Sequence, residues 1–78
     1  MTIQEMQIVI DNLQVQMRDH NNHMKSSELV DGDILIVVFK DLVKVEWNGG
    51  IGLSDNYEEA LNYASSDSWR RIQNIQNI

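Results

Sequence analysis

Six consecutive apolar residues, Ile34–Phe39, limit how this chain can fold more than any other feature of its sequence. Such a run is typical of a strand that is buried on both faces or lies centrally in a sheet, and it is far below the ~18 residues that span a bilayer. The chain has only 78 residues, which suffice for one small core. We therefore expect one domain over residues 1–78 that covers this strand and has no contact with membranes.

Residues 42–47 form the next strand, because apolar and charged residues alternate along them. The two faces of this strand carry Val43, Val45 and Trp47 on one side, and Lys44 and Glu46 on the other. The alternation predicts a half-buried strand that follows the buried one in an antiparallel meander.

Asn48-Gly49-Gly50 is the strongest turn signal in the chain. A two-residue loop would place Ile51 and Leu53 on the charged face of the sheet, and a one-residue shift would place them on the apolar face. A three-residue loop, which pairs Trp47 with Ile51, keeps the apolar residues together. The pattern therefore favours the three-residue loop, followed by a third strand.

The N-terminal segment has the spacing of an amphipathic helix, with apolar residues three and four positions apart. Thr2 and Glu5 have the spacing of a capping box at its start, and Asn and Asp residues predict its end between residues 18 and 24. Val9 widens the apolar seam. The seam itself consists of Ile3, Met6, Ile10, Leu13 and Met17.

A second apolar stripe follows the same helix on the side opposite to the seam. Met1, Ile8 and Val15 are seven residues apart, about 150–180° from the seam at 100° per residue. One packed face cannot bury both the stripe and the seam. The stripe is then either enclosed within the fold, exposed without consequence, or a contact surface for a partner or a second copy.

The C-terminal region has helical spacing from Tyr57 onwards, with Asp55 as the expected N-cap and Glu58 as its capping-box partner. Polar residues at 65–68 predict one kinked helix or two short helices. Residues 25–32 are interpreted as a connector that ends in a turn. The expected fold is therefore α+β, with an N-terminal helix, a three-stranded antiparallel meander and the C-terminal helical region.

The net charge of −6 is distributed unevenly along the chain. Residues 28–67 contain nine acidic residues and two lysines, a net charge of −7. Such a surface repels nucleic acid and attracts basic protein surfaces, although it is also typical of ordinary solubilising charge. The acidic residues that we expect to contact a partner are Asp41, Glu46, Asp55, Glu58, Glu59 and Asp67.

Trp69, Arg70 and Arg71 combine residue types that are common at protein-binding hot spots. A tryptophan at this position also fits a place in the core. Two arginines are too few for a nucleic-acid surface, so the segment indicates a protein contact if it indicates any.

No set of catalytic or metal-binding residues is recognisable in the sequence. The chain has no Cys, which excludes thiolate chemistry and thiolate zinc sites. His20 and His23 lie beside Asp19, but they lack a third ligand at a recognisable spacing, and a solvated helix end explains them. We expect no enzyme activity, no metal and no cofactor.

In its size, acidity and lack of Cys, the chain resembles many phage-encoded inhibitors of host or defence proteins, including some anti-CRISPR proteins. This resemblance is one of type and involves no particular residue. It implies an inhibitor or regulator of a host or defence protein. The acidic block favours a partner with a basic surface, which the chain would occupy as a nucleic-acid mimic. The lack of Cys and of a long apolar run favours the cytoplasm, which is the host cytoplasm if a phage encodes the chain. The alternative is a small structural or assembly protein that self-associates through the first helix.

Overall fold

The structure, a computed structural model, describes residues 1–19, 23 and 25–76, with side chains described as far as residue 66. The strands form one antiparallel sheet in the order β1-β2-β3-β4. The α+β class with a helix at each end of the chain is confirmed, but the sheet has four strands and not three. The elements are α1 (Ile3–Arg18), β1 (Ser26–Asp31), β2 (Ile34–Phe39), β3 (Val43–Trp47), β4 (Gly50–Ser54) and α2 (Tyr57–Gln76).

The additional strand is β1, in the segment that the sequence predicted to be a connector. It pairs with β2 from Ser26 opposite Phe39 to Asp31 opposite Ile34, and Gly32, with φ 61°, lies in the tight turn between them. Only two residues of β1 are apolar, and of these Leu29 packs against the core whereas Val30 is 71% exposed. Composition therefore gave little indication of it.

The hairpin between β3 and β4 has a two-residue loop, so the predicted three-residue loop is wrong. Trp47 pairs with Gly50, and the loop consists of Asn48 and Gly49. Both loop residues have positive φ, 51° and 82°, as in a type I′ turn. The twist of this turn matches that of paired strands, and Asn-Gly is its preferred sequence.

The register of β4 follows from its contact with α2. Ile51 and Leu53 point away from the helices and are 41% and 52% exposed. Gly52 points towards α2, where an added Cβ would collide with the carbonyl oxygen of Ala60 and lie 2.6 Å from the amide nitrogen of Ala64. The close approach of the helix backbone therefore decided the register, against the apolar alternation.

Both helices pack on the same face of the sheet, where the core lies. Inward-facing rows of β2 and β3 meet the seam of α1 and the small-residue face of α2. Gln14 lies within the seam, and its amide donates to the carbonyl oxygen of Phe39 at 3.0 Å. The buried apolar residues are Met6, Ile10, Met17, Ile36, Val38, Val43, Val45, Tyr57, Ala60 and Ala64.

The start of α1 is as predicted. The Glu5 amide donates to the Thr2 hydroxyl at 3.1 Å, and the Glu5 carboxylate accepts from the Thr2 amide at 3.4 Å. This reciprocal pair is the capping box, and the helix ends at Arg18, within the predicted range. Of the seam, Ile3 is exposed, and Val9 and Leu13 are half-buried.

The start of α2 is one residue later than predicted, so Asp55 is not its N-cap. Asn56 takes that place, and its side-chain oxygen accepts from the Glu59 amide at 2.9 Å. Asn and Asp cap equally well, so composition alone could not choose between the two adjacent positions.

Past its start, α2 is one continuous helix to Gln76, and the alternative of two short helices is wrong. Ser65 and Ser66 are exposed, and a helix tolerates such residues on its solvent face. Neither α1 nor α2, as far as they are described, is long and apolar enough to cross a membrane.

Candidate functional site

The second stripe of α1 lies on the surface. Met1, Ile8 and Val15 are 68%, 60% and 63% exposed. The fold therefore does not enclose the stripe within a single copy. Single exposed apolar residues are common, so the surroundings of each residue decide whether it marks a site.

A side-chain amide holds the N-terminal half of α1 against the start of α2. The Tyr57 backbone N–H donates to Gln7 Oε1 at 2.8 Å, and Gln7 Nε2 donates to Asp11 Oδ1 at 2.8 Å. Gln7 thus satisfies one of the N–H groups that the first turn of a helix leaves without an intrahelical partner. The contact fixes the position of α1 relative to the first turn of α2.

An open cleft of about 410 Å³ lies where the two helices meet in this way. Its apolar surface comes from two isoleucines, one of which, Ile8, belongs to the second stripe. Amide and carboxylate groups form the rest of its wall. The lining residues are Ile3, Gln4, Gln7, Ile8, Asn56 and Glu58.

The cleft suits a cationic group better than an anionic one. Gln7 and Asn56 already occupy two amide donors in the first turn of α2, so these donors are not available to an anion. The Glu59 carboxylate accepts from the Ser54 hydroxyl at 2.7 Å and serves the cap. Glu58 lines the cleft and has no cationic partner among the described side chains. Its carboxylate is therefore the group that would meet a ligand.

Of the other acidic candidates, Asp55 and Glu59 contact Asn56 beside the cleft, whereas Asp41 and Glu46 do not line it. Asp41 follows β2, at the same end of the sheet as Asp55, and lies 3.7 Å from the Arg18 guanidinium. Glu46 lies on the opposite face of the sheet, with its carboxylate 3.6 Å from the Lys44 ammonium. The structure therefore brings together Asp55, Glu58 and Glu59, which adjoin or line the cleft, but not Glu46. The side chain of Asp67 lies outside the described residues.

The remaining candidates add no described group to the cleft. The side chains of Trp69, Arg70 and Arg71 lie outside the described part of α2, and His20 lies outside the described residues. His23 is exposed. Among the residues that the structure describes, no three His, Cys, Asp or Glu side chains are grouped so that they could hold a metal ion.

Sequence reasoning missed the polar residues of the cleft, Gln4, Gln7 and Asn56. Gln7 lies between the seam and the second stripe on α1. Its role depends on the hydrogen bond that it accepts from the Tyr57 backbone N–H of α2, which the sequence of α1 does not show. A polar residue next to a helical seam is ordinary in any sequence. The neighbouring Asn56 could have been suspected, since Asn three residues before Glu is itself a capping-box spacing.

The hydroxyl of Tyr57, a buried residue of the core, makes the stability of the domain depend on pH. Burial raises its pKa above the ordinary value of 10.0, and the negative charge of Asp31 raises it further. The Tyr57 hydroxyl then stays protonated in the folded state at pH values at which the unfolded state has lost the proton. The contribution of this hydroxyl to stability is complete below pH 10 and decreases as the pH rises above 10. We expect urea unfolding to show a loss of stability as the pH rises above 10 that is smaller in Tyr57→Phe. Equal losses in the two proteins would contradict this role of Tyr57.

Comparison of the chain with protein-family models, with curated proteins and with solved structures gave no match.

Proposed function

We propose that this chain is a non-catalytic protein-binding module that inhibits or regulates its partner. The partner inserts an apolar side chain next to Ile8 and places a Lys or Arg side chain beside Glu58. One observation supports this above all others: a residue of the exposed stripe and an acid of α2 that has no cationic partner among the described side chains line the same cleft.

The two contacts contribute differently to binding. Covering the exposed part of Ile8 stabilises a complex by about 1–2 kcal/mol, as burial of apolar surface does. The acids near it, Asp55, Glu58 and Glu59, act mainly on the rate of association and on the choice of partner, because the field of exposed charges extends about 10 Å at moderate salt. An acidic or neutral partner would gain only the first contribution.

This charge pattern supports the inhibitor role of the proposal. Carboxylates that a rigid helix start holds in place can occupy a basic groove that otherwise binds a nucleic-acid backbone. A partner occupied in this way loses access to its nucleic acid. That is the action expected of an acidic inhibitor of the anti-CRISPR-like kind that phages encode.

Capture from a lysate of the native host tests the cleft with two matched variants. Ile8→Asp places a charge in the cleft, and Val15→Asp places the same charge on the same stripe, two turns further along α1. We expect the wild type and Val15→Asp to retain one stoichiometric protein, and Ile8→Asp to lose it. Retention should fall between about 50 and about 500 mM salt, because screening weakens the acidic contribution.

The same variants separate the proposal from self-association through Met1, Ile8 and Val15, which their exposure also supports. A helix-to-helix contact along the whole stripe would be weakened by both substitutions, since both residues belong to it. Equal retention of the captured protein by Ile8→Asp and the wild type would refute the cleft as its binding site.

A further inference from the structure

One face of the sheet has no helix against it in the part of the chain that the structure describes. Six of the residues that point to this face are apolar and are half-buried or exposed. A sheet of this size in a soluble protein more often has one apolar and one polar face. The apolar residues are Val30, Leu35, Val37, Phe39, Ile51 and Leu53.

The central strand β2 shows the mismatch most clearly. Its residues Ile36 and Val38 are fully buried under the helices, whereas Leu35, Val37 and Phe39 lie on the uncovered face. A strand that is apolar throughout is typical of a sheet with a layer on both sides. The composition of β2 therefore fits an assembly in which something covers the second face.

Two adjacent rows of this face have complementary patterns. Each row crosses the four strands in register, and the two rows are separated by the inward-facing row that contains Ile36 and Val45. The first row consists of Glu28, Val37, Lys44 and Leu53, and the second row consists of Val30, Leu35, Glu46 and Ile51. On β3 the first row has a lysine where the second has a glutamate. On β2 and β4 both rows are apolar.

We infer that a second copy of this chain covers the face. The two copies are related by a two-fold axis that runs across the strands, midway between the two rows. The first row of each copy then lies on the second row of the other copy, as an isologous contact requires. Lys44 then faces Glu46 of the second copy, and this pair occurs twice. Val37 faces Leu35 and Leu53 faces Ile51 in the same way.

The central strands carry most of this complementarity. Packed sheets are rotated by about 30°, so that pairs near the axis stay aligned better than those at the edges. Lys44, Glu46, Leu35 and Val37 belong to the central strands β2 and β3. At the β1 edge Glu28 lies opposite Val30 of the second copy. Because this position is at the edge of the contact, the Glu28 carboxylate stays in water.

The charges favour a second copy over a basic or an acidic partner. Within one copy the ammonium of Lys44 already lies 3.6 Å from the carboxylate of Glu46, and both side chains are partly exposed. A partner of one sign would repel one of the two, and a purely apolar partner would remove the pair from water without offering either group a further opposite charge. A second copy offers the opposite sign to each.

The size of the face predicts a weak dimer. Strands about 4.8 Å apart and about 3.3 Å per residue give a face of roughly 20 by 17 Å, on the order of 300 Å² per copy. Contacts below about 1,200 Å² in total belong to transient complexes, so we expect monomers and dimers in exchange. Both helix layers would point outwards and leave the cleft of each copy accessible.

Sedimentation equilibrium of the full chain, from about 10 µM to about 1 mM, tests the dimer. We expect a reversible dimer that Lys44→Glu and Glu46→Lys each weaken at least about 100-fold, because each variant places like charges opposite one another at two points. Far-UV circular dichroism checks that both variants fold. Ile8→Asp, on the other side of the molecule, should dimerise like the wild type.

Mixing the two single variants separates contacts between copies from those within one copy. In a mixed dimer, the Lys44→Glu copy presents two carboxylates and the Glu46→Lys copy presents two ammonium groups. Opposite charges then face one another at both points, while each copy keeps its own pair of like charges. We expect the mixture to dimerise although neither variant does so alone. Three results would overturn the inference. The wild type could stay monomeric at all concentrations, the mixture could stay monomeric, or the dimer could be weakened by Ile8→Asp alone.

Discussion

Gly52→Ala should destabilise the domain by at least about 3 kcal/mol, since the added methyl group has no room. The new Cβ would overlap the backbone of α2 at Ala60 and Ala64, and a backbone cannot move aside as the end of a flexible side chain can. A domain of this length has a total stability of roughly 4–12 kcal/mol. The substitution therefore removes a large part of it, by forcing α2 away from β4.

Gly32→Ala is the matched control for this effect. A Cβ at Gly32 has no heavy atom within 4 Å, so that only its φ of 61° opposes the substitution. A left-handed backbone costs an alanine about 1–2 kcal/mol. Urea unfolding of the three proteins should rank the wild type first, Gly32→Ala second and Gly52→Ala last. Equal losses for the two variants would show that α2 does not approach β4 closely.

Ile10→Ala should cost about 2–5 kcal/mol, whereas Ile8→Ala should change stability by no more than about 0.5 kcal/mol. Ile10 is fully buried in the core, and Ile8 is mostly exposed beside the cleft. The two substitutions are chemically identical and lie on the same helix. Their difference therefore measures which side of α1 faces the sheet.

Thermal unfolding can resolve this pair of variants. In a domain of this size, 1 kcal/mol corresponds to a shift of about 4–8 °C in Tm. The expected Tm values therefore differ by at least about 6 °C between Ile10→Ala and Ile8→Ala. A similar loss for both would mean that the stripe of α1 is covered in solution.

Local patterns allowed α1 and the central strands to be predicted from the sequence. The capping box of Thr2 and Glu5 and the seam through Met6, Ile10 and Met17 depend only on spacing along one helix. The six apolar residues of β2 were equally clear. These signals lie within one element, so no knowledge of its neighbours was needed.

The errors occurred where another element decided the outcome. β1 is an edge strand, recognisable mainly by the Asp31-Gly32 turn signal before an apolar run. The register of β4 depended on the space that α2 leaves at Gly52, which no pattern within the hairpin contains. The preference of Asn48-Gly49 for a two-residue loop was the better guide than the apolar alternation.

The parts of the candidate site could be predicted, but their arrangement could not. The sequence singled out Ile8 as part of a stripe and Glu58 as part of an acidic block, far apart along the chain. Their meeting at one cleft depends on the contact between Gln7 and the Tyr57 amide, which is tertiary. The same holds for the paired rows of the sheet face, which follow from the observed register.

The cleft and the sheet face lie on opposite sides of the molecule and can act together. In the proposed dimer the two clefts point outwards, so that one dimer could hold two partner molecules or two sites of one partner. Joining two sites in this way raises the overall affinity without any new contact. Loss of the dimer alone would then weaken partner binding only where the partner is itself multivalent.

The central claim, that the cleft binds a basic protein, is tested most directly by the dissociation constant of the captured partner. The titration compares Glu58→Lys with Asp33→Lys, which makes the same charge change in the exposed β1–β2 turn. The proposed binding mode predicts that Glu58→Lys weakens binding at least about tenfold and Asp33→Lys less than about threefold. Equal effects of the two substitutions, or no effect of either, would contradict it.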